Sequence, residues 1–334
     1  MSFANTLSKP FFVLAPMDDV TDTVFRQVIT TTARPDLFFT EFVNVDGLQS
    51  PGRAKLLKKL RCTKNEVPLV AQIWGKNPDN FYKTVRELRS GELAAEANKG
   101  ESAPGTFVGV DINMGCPVRT VIKQGCCSAL IDNRGLAGEI IAAVREAAGS
   151  DFAVSVKTRL GTKSVDMSWV EFLLDKKLNM LTIHGRTAKD MSKVPADWSA
   201  IGRARTLRDK LSPATLLVGN GDVLTRQQGE ELARHHKLDG IMIGRGVFYD
   251  PFVFASNSPW ADYNRRQRID LYRTHVELFR NTWGATADTP QNIRPLNKFC
   301  KIYIQGFDGA KELREKLMYL DSTDALLAAL RKMV

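Results

Sequence analysis

Eight short runs of β-branched and apolar residues recur through the first 250 or so residues, and a segment with helical spacing follows each of them. The runs are FFVLAP (11–16), LFFTEFV (37–43), LVAQIWG (69–75), FVGVDINM (107–114), AVSVKTRLG (153–161), NMLTIHGRT (179–187), TLLVGNGD (215–222) and GIMIGRG (240–246). Among the intervening segments, TDTVFRQVIT (21–30) opens on Thr21 as a cap, and NPDNFYKTVRELR (77–89) and TRQQGEELARHH (225–236) carry apolar residues at helical spacing. Eight alternations over this length are those of an α/β protein built as a (β/α)8 TIM barrel. A doubly wound open sheet is the alternative, because periodicity does not report closure.

Nearly every run ends on a hydrogen-bonding or ionisable residue: Asp18 with Met17 beside it, Glu41, Gln72, Asn113, Lys157, His184, Asn220 and Arg245. A parallel strand buried on both faces is almost wholly apolar, so such groups gathered at strand ends point to a ligand above the barrel. Glu41 taken alone fits a group that satisfies a loop; the set does not.

Two stretches break the repeat. RSGELAAEANKGESAPGT (89–106) is small, polar and glycine-containing, which predicts a mobile surface insertion between the third helix and the fourth strand. From about Ser256 the strand signal gives way to helical spacing, so the barrel is assigned to 1–255 and a small all-α C-terminal domain to 256–334. Residues 261–334 hold thirteen Lys or Arg against nine Asp or Glu, denser in positive charge than the rest of a chain whose net charge is +10. That balance favours a polyanionic partner and marks the tail as its grip.

No run approaches the roughly 20 apolar residues of a membrane span, and MSFANTLSKPFFVLAPMDD has no basic start or cleavage site, so a soluble cytoplasmic protein is expected. Five cysteines without a CxxC pair fit neither a disulfide framework nor a metal site.

The glycine loops GNGD (219–222) and GRG (244–246) close the seventh and eighth runs, where barrels commonly hold phosphate on backbone N–H groups. Arg245 can add a charge-assisted bond. Neither loop completes GxGxxG, so a phosphorylated ligand such as flavin mononucleotide (FMN) is expected rather than a Rossmann-bound dinucleotide. A flavin ring needs donors and acceptors along its pyrimidine edge and positive charge near N1, which Gln72 and Lys157 can supply. His184 fits a ligand contact or a structural histidine equally. Cys116, in DINMGCP (111–117), stands at the exit of an apolar run between a glycine and a proline, where a working thiol is better placed than a packing one.

Taken together, LAPMDDVTD, TEFV, VAQIWG, VDINMGCP, SVKTRLG, TIHGRT, ADW, GNGD and IGRG resemble the successive motifs of the tRNA-dihydrouridine synthases, in the same order over about residues 11–250. The helical tail is similar to that family's C-terminal tRNA-binding domain. The resemblance implies a flavin enzyme that reduces a uridine of tRNA to 5,6-dihydrouridine, with NADPH or NADH as transient electron donor. It places FMN against Pro16, Met17, Gln72, Lys157, His184, Asn220, Gly221, Asp222, Gly244 and Arg245, with Asp18 beside them. Asn113 would contact the uracil, and Cys116 would be the catalytic acid. TEFV and the basic tail are similar to the bacterial branch that acts within the D-loop.

Chemistry agrees with that assignment. Hydride addition at C6 leaves charge on C5 and O4, and a thiol at its ordinary pKa of about 8.5 is mostly protonated at neutral pH yet acidic enough to donate to C5. The uridine must be splayed out of the tRNA fold, and Arg119, Lys123, Arg159 and Arg186 are candidates to hold flanking phosphates, against the alternative of ordinary salt bridges. The chain departs from the family pattern at Asp19, where glycine is usual, and in GCCSALI, where Cys126 and Cys127 replace small residues. For those two, buried packing is expected ahead of a second thiol at the site.

Three rival functions stay open on sequence alone: an FMN barrel acting on a free pyrimidine or dihydroorotate, a non-catalytic tRNA-binding homologue, and a thiol hydrolase using Cys116 and His184. A monomer is expected.

Overall fold

A computed structural model describes residues 7–100, 107–285, 287 and 290–333. The strands are β1 (Phe11–Leu14), β2 (Phe38–Phe39), β3 (Val43–Asn44), β4 (Leu69–Trp74), β5 (Gly109–Met114), β6 (Ala153–Arg159), β7 (Met180–His184), β8 (Leu216–Asn220) and β9 (Gly240–Ile243). All pair in parallel, in the order β1-β9-β8-β7-β6-β5-β4-β2. A parallel bridge between Val13 and Leu37, with the Leu14 N–H donating to the Leu37 carbonyl at 3.1 Å, joins the two ends of that order. The sheet is therefore a barrel rather than an open sheet.

LFFTEFV, expected as one strand, is split into β2 and β3, and both pair with β4. Phe39 pairs Val70 and Val43 pairs Ile73, so four steps along one side match three along the other. That extra residue is a bulge, and it places Glu41 at the rim.

Side chains alternate along each strand. Phe11, Val13, Ala15, Leu37, Phe39, Val70, Met180, Leu216, Val218 and Met242 form the buried cluster that fills the barrel. The same parity continued along the strands turns Gln72, Asp111, Asn113, Ser155, Lys157, Thr182, His184 and Asn220 inward as well. The register stacks them in successive rungs: Gln72 beside Asp111 beside Ser155, then Asn113 beside Lys157 beside Thr182, then Arg159 beside His184 beside Asn220. The expected polar ring is thus the rim of a polar wall that descends into the barrel between β4 and β8.

The helices follow their caps. Asn77 accepts from Asp79 N–H at 2.9 Å ahead of Pro78, and helix Pro78–Ser90 ends at Gly91 in the left-handed conformation. The helix near the expected cap at Thr21 begins at Thr23, and the Thr21 hydroxyl accepts the Met17 N–H at 2.9 Å. In the stretch expected as a mobile insertion, Ser90 ends one helix and Glu92–Ala97 form another; 101–106 lie outside the described residues.

By its contacts the chain divides into two compact units. One comprises the residues up to Thr23, Pro35–Val223 and Gln227–Gly244; the other comprises Val24–Arg34, Leu224–Arg226 and Arg245 onward. The second unit holds the helices expected in the tail, Arg265–Trp283, Arg294–Tyr303, Ala310–Met318 and Thr323–Arg331. Asn264 and Gln267 form a capping box at the head of the first of these. Its interior is aromatic: Tyr272 stacks on Tyr303 with centroids 5.3 Å apart, and Phe25 stacks on Phe299 at 5.2 Å. No helix among the described residues is long and apolar enough to cross a membrane.

Candidate active site

The turn after β5 is built by Asn113. Its Oδ1 accepts the N–H groups of Gly115 and Cys116 at 3.1 and 3.0 Å, an Asx turn that fixes the backbone of the thiol. Asn113 Nδ2 donates to Gln72 Oε1 at 3.0 Å, and Gln72 Nε2 donates to Asp111 at 2.7 Å. Asp111 was not singled out from the sequence, although a lone carboxylate inside the apolar run GVDINM is a visible signal. Burial raises its pKa to about 6, against the pull of the Ser155 and Gln72 hydrogen bonds and of Lys157. Lys157 is pushed down to about 8, chiefly by burial and then by Arg159, with Asp111 opposing.

Cys116 is not the unperturbed thiol expected. Its pKa is lowered to about 7, first by a hydrogen bond from the Cys127 thiol, then by the Val118 N–H and the Arg159 charge, against burial. Cys127 is fully buried, and the same contact lifts its own pKa well above the ordinary thiol value. Packing and a second thiol are therefore not alternatives here: Cys127 packs and also bonds the Cys116 sulfur. Ser128 reinforces the junction, its hydroxyl donating to the Cys116 carbonyl at 2.9 Å. Cys126 is buried and donates weakly to the Gln124 carbonyl.

Three motifs quoted separately from the sequence close on one another. Asp222 accepts from Arg186 and, at 3.0 Å, from Ala196 N–H, while Trp198 Nε1 donates to the Gly221 carbonyl at 3.2 Å. Arg186 also lies 3.2 Å from His184 Nε2. HGRT, ADW and GNGD are thus one stapled unit. Arg186 is 4% exposed and Arg159 7%, and Arg159 donates through Nε and Nη1 to the carbonyls of Gly115, Thr187 and Met191. Both arginines hold loops together. Arg119 and Lys123, four apart on the helix Arg119–Lys123, are exposed beside Cys116 in the chain.

Pro16 is buried and Met17 half-buried, while Asp18 is exposed and ion-paired to Lys59. Asp19, at φ 54°, occupies the left-handed region that glycine favours, which an aspartate tolerates better than most residues. Its N–H donates to Glu41 Oε1 at 2.7 Å, and burial raises Glu41 to about 7 against the pull of Lys59. Asn220 donates to the Met242 carbonyl at 2.8 Å, and Arg245 immediately precedes the short helix Gly246–Tyr249.

Two observations concern what the barrel could hold. A Cβ on Gly244 would meet nothing nearer than Ala15 Cβ at 3.5 Å and Met17 Sδ at 3.7 Å, so the protein's own packing leaves that glycine room. Thr182 Oγ1, on the rung with Asn113 and Lys157, is buried without a hydrogen-bond partner among the described residues.

Comparison with known proteins gives the family. The probable tRNA-dihydrouridine synthase 2 of Bacillus subtilis (strain 168) is 42% identical over 332 residues, 98% of this chain and 95% of its own length. The probable tRNA-dihydrouridine synthase of Staphylococcus aureus (strain COL) is 42% identical over 324 residues, 96% of this chain and 92% of its own. Among solved structures, histamine dehydrogenase from Rhizobium sp. 4-9 shares the barrel, with a TM-score of 0.52 at 12% identity, covering 81% of this chain and 49% of that one. The dihydrouridine synthase (Dus) family model matches residues 13–334, and with full-length relatives at this identity the chain belongs to the dihydrouridine synthase family, whose members are oxidoreductases.

Proposed function

We propose that the chain reduces a uridine of tRNA, within the D-loop, to 5,6-dihydrouridine, using FMN bound in the barrel mouth and NADPH or NADH as its electron source, in the cytoplasm. The observation that carries this reading is the single hydrogen-bonded chain that joins Gln72, a partner for a flavin edge, through Asn113 to the backbone of an acidic thiol.

The donor set suits a flavin. Gln72 offers an amide, Lys157 a cation, and the partnerless Thr182 hydroxyl a further polar atom beside them. Gly221 and the open space at Gly244 suit a phosphate approached by backbone, with Arg245 adding charge. Pro16, Met17 and Asp18 border the same mouth, and His184, Asn220 and Asp222 hold its opposite rim in place. Once bound and reduced by NADPH or NADH, FMN would supply hydride to C6 of the uracil.

The protein's part is orientation and proton supply. Asn113 holds the uracil edge, and Cys116 delivers its S–H proton to C5. The thiolate left on Cys116 is stabilised by the Cys127 thiol, the Val118 N–H and the Arg159 charge. Arg159 and Arg186 act through the loops they clamp, so contacts to flanking phosphates fall to exposed Arg119 and Lys123.

The test is spectroscopic. Purified protein should show flavin absorbance that NADPH bleaches and that returns anaerobically when unmodified tRNA is added. Turnover on free uridine alone would reassign the chain to a free pyrimidine, and a protein that never binds FMN would make it a tRNA-binding homologue.

In the second unit, Arg294, Lys298 and Lys301 are exposed at spacings of four and three along the helix Arg294–Tyr303, a basic stripe suited to a phosphate backbone. Replacing Lys298 and Lys301 with alanine should weaken tRNA binding for all tRNA sequences alike. It should also flatten the plot of log K against log salt by about one unit per lysine. Filter binding at several salt concentrations reads both, and an unchanged slope would remove the stripe from the interface.

A further inference from the structure

Asp111 is fully buried in the middle of β5, on the rung of Gln72 and one rung below Asn113 and Lys157. One carboxylate oxygen accepts from Gln72 Nε2 at 2.7 Å and the other from Ser155 Oγ at 2.6 Å. Both oxygens of Asp111 are thus engaged as acceptors. Gln72 must therefore turn its NH2 toward Asp111 and its carbonyl oxygen away, where that oxygen accepts from Asn113 Nδ2 at 3.0 Å. Asn113, with its NH2 so engaged, can only present Oδ1 to the Gly115 and Cys116 N–H groups, which it does at 3.1 and 3.0 Å.

Each amide in isolation could sit either way round at little cost. Anchored at one end by a group that accepts through both oxygens and at the other by backbone N–H groups with no acceptor, the pair has one consistent sense. An asparagine at 111 brings a donor of its own, so the sense of the pair would then be set from the Asn113 end alone.

We propose that Asp111 is a positioning residue for the reaction: it sets which way the Gln72 and Asn113 amides face, and through Asn113 it holds the backbone that carries Cys116. This rests on the reading of Gln72 and Asn113 as flavin and uracil contacts. Ser155 has a lesser part, since its hydroxyl also lies 3.4 Å from the Val110 carbonyl and can turn there if Asp111 is replaced.

The test compares Asp111→Asn, Asp111→Leu and Ser155→Ala in the full-length protein. FMN affinity is read by flavin fluorescence, and NADPH-driven reduction and tRNA-driven reoxidation are read separately by stopped flow. Asp111→Asn is nearly isosteric and should fold, with FMN affinity within about threefold of native but reoxidation by tRNA slowed about tenfold. Asp111→Leu should weaken FMN about tenfold and slow reoxidation further, as a fall in kcat rather than a rise in KM, while reduction by NADPH at saturating FMN stays near native. Ser155→Ala should stay near native throughout. Native FMN affinity and native reoxidation in both Asp111 variants would overturn the proposal, as would Ser155→Ala losing as much as Asp111→Leu. If the unmutated protein bound FMN but was never reoxidised by tRNA, the proposed function would fail, and the FMN affinities would still test Asp111.

Discussion

Cys116→Ala is expected to remain yellow and to be reduced by NADPH at the native rate, while its reoxidation by tRNA slows by about 10²–10⁴-fold, the usual worth of a positioned general acid. The thiol sits on a turn held by Asn113 rather than by its own side chain, so its removal leaves the flavin-facing residues where they were. Cys127 cannot substitute, because its pKa is raised well above the ordinary thiol value and it is fully buried. Normal dihydrouridine content in tRNA treated with Cys116→Ala would refute the acid role. The pH dependence gives the same assignment a sign. Only the protonated thiol can donate, and the Cys116 pKa is about 7, so reoxidation by tRNA should be flat below that value and fall as pH rises through it. The Cys127 hydrogen bond stabilises the thiolate, so Cys127→Ala should raise the Cys116 pKa and carry the fall to higher pH. A profile that did not move in that variant would mean that the Cys127 contact does not tune the acid.

Much of this was legible in the sequence because a parallel barrel writes its strands as apolar runs and its ligand mouth as the polar residue that ends each one. Gln72, Asn113, Lys157, His184 and Asn220 all lie on the inward parity of their strands, which period-two alternation alone would have predicted. What could not be read was partnership. Arg159 and Arg186 are ordinary basic residues in a string of letters, and only the fold shows that one closes on three carbonyls and the other on Asp222. The bulge that splits LFFTEFV depends on register against β4, which no local pattern encodes. The Thr21 hydroxyl also accepts the Met17 N–H and donates to the Met17 carbonyl, a loop-closing role that the TDT pattern does not announce. Asp19 explains itself only with a backbone angle: the position needs the left-handed region, and the chain fills it with one of the few side chains that accept it.

Gly221→Ala is expected to lower the melting temperature of the FMN-free protein by about 5–10 °C. At φ 131° a side chain is strained, at a cost of about 1–3 kcal/mol. The new Cβ would also stand 2.7 Å from Ala196 Cβ and 3.2 Å from His184 Cδ2, inside the staple of HGRT, ADW and GNGD, at a further cost of about 1–3 kcal/mol. Neither cost depends on a ligand, so calorimetry on FMN-free protein should register both. Gly244→Ala is the matched comparison. There the Cβ meets only ordinary contacts at 3.5 and 3.7 Å, so the FMN-free protein should melt as the native one does. If Gly244 is kept bare for a phosphate, its methyl should instead weaken FMN, and the stabilisation that added FMN gives the native protein should shrink in this variant. Full thermal stabilisation by FMN in Gly244→Ala would take the phosphate away from that glycine, and an unshifted melting curve for Gly221→Ala would mean that the GNGD loop yields where the geometry says it is clamped.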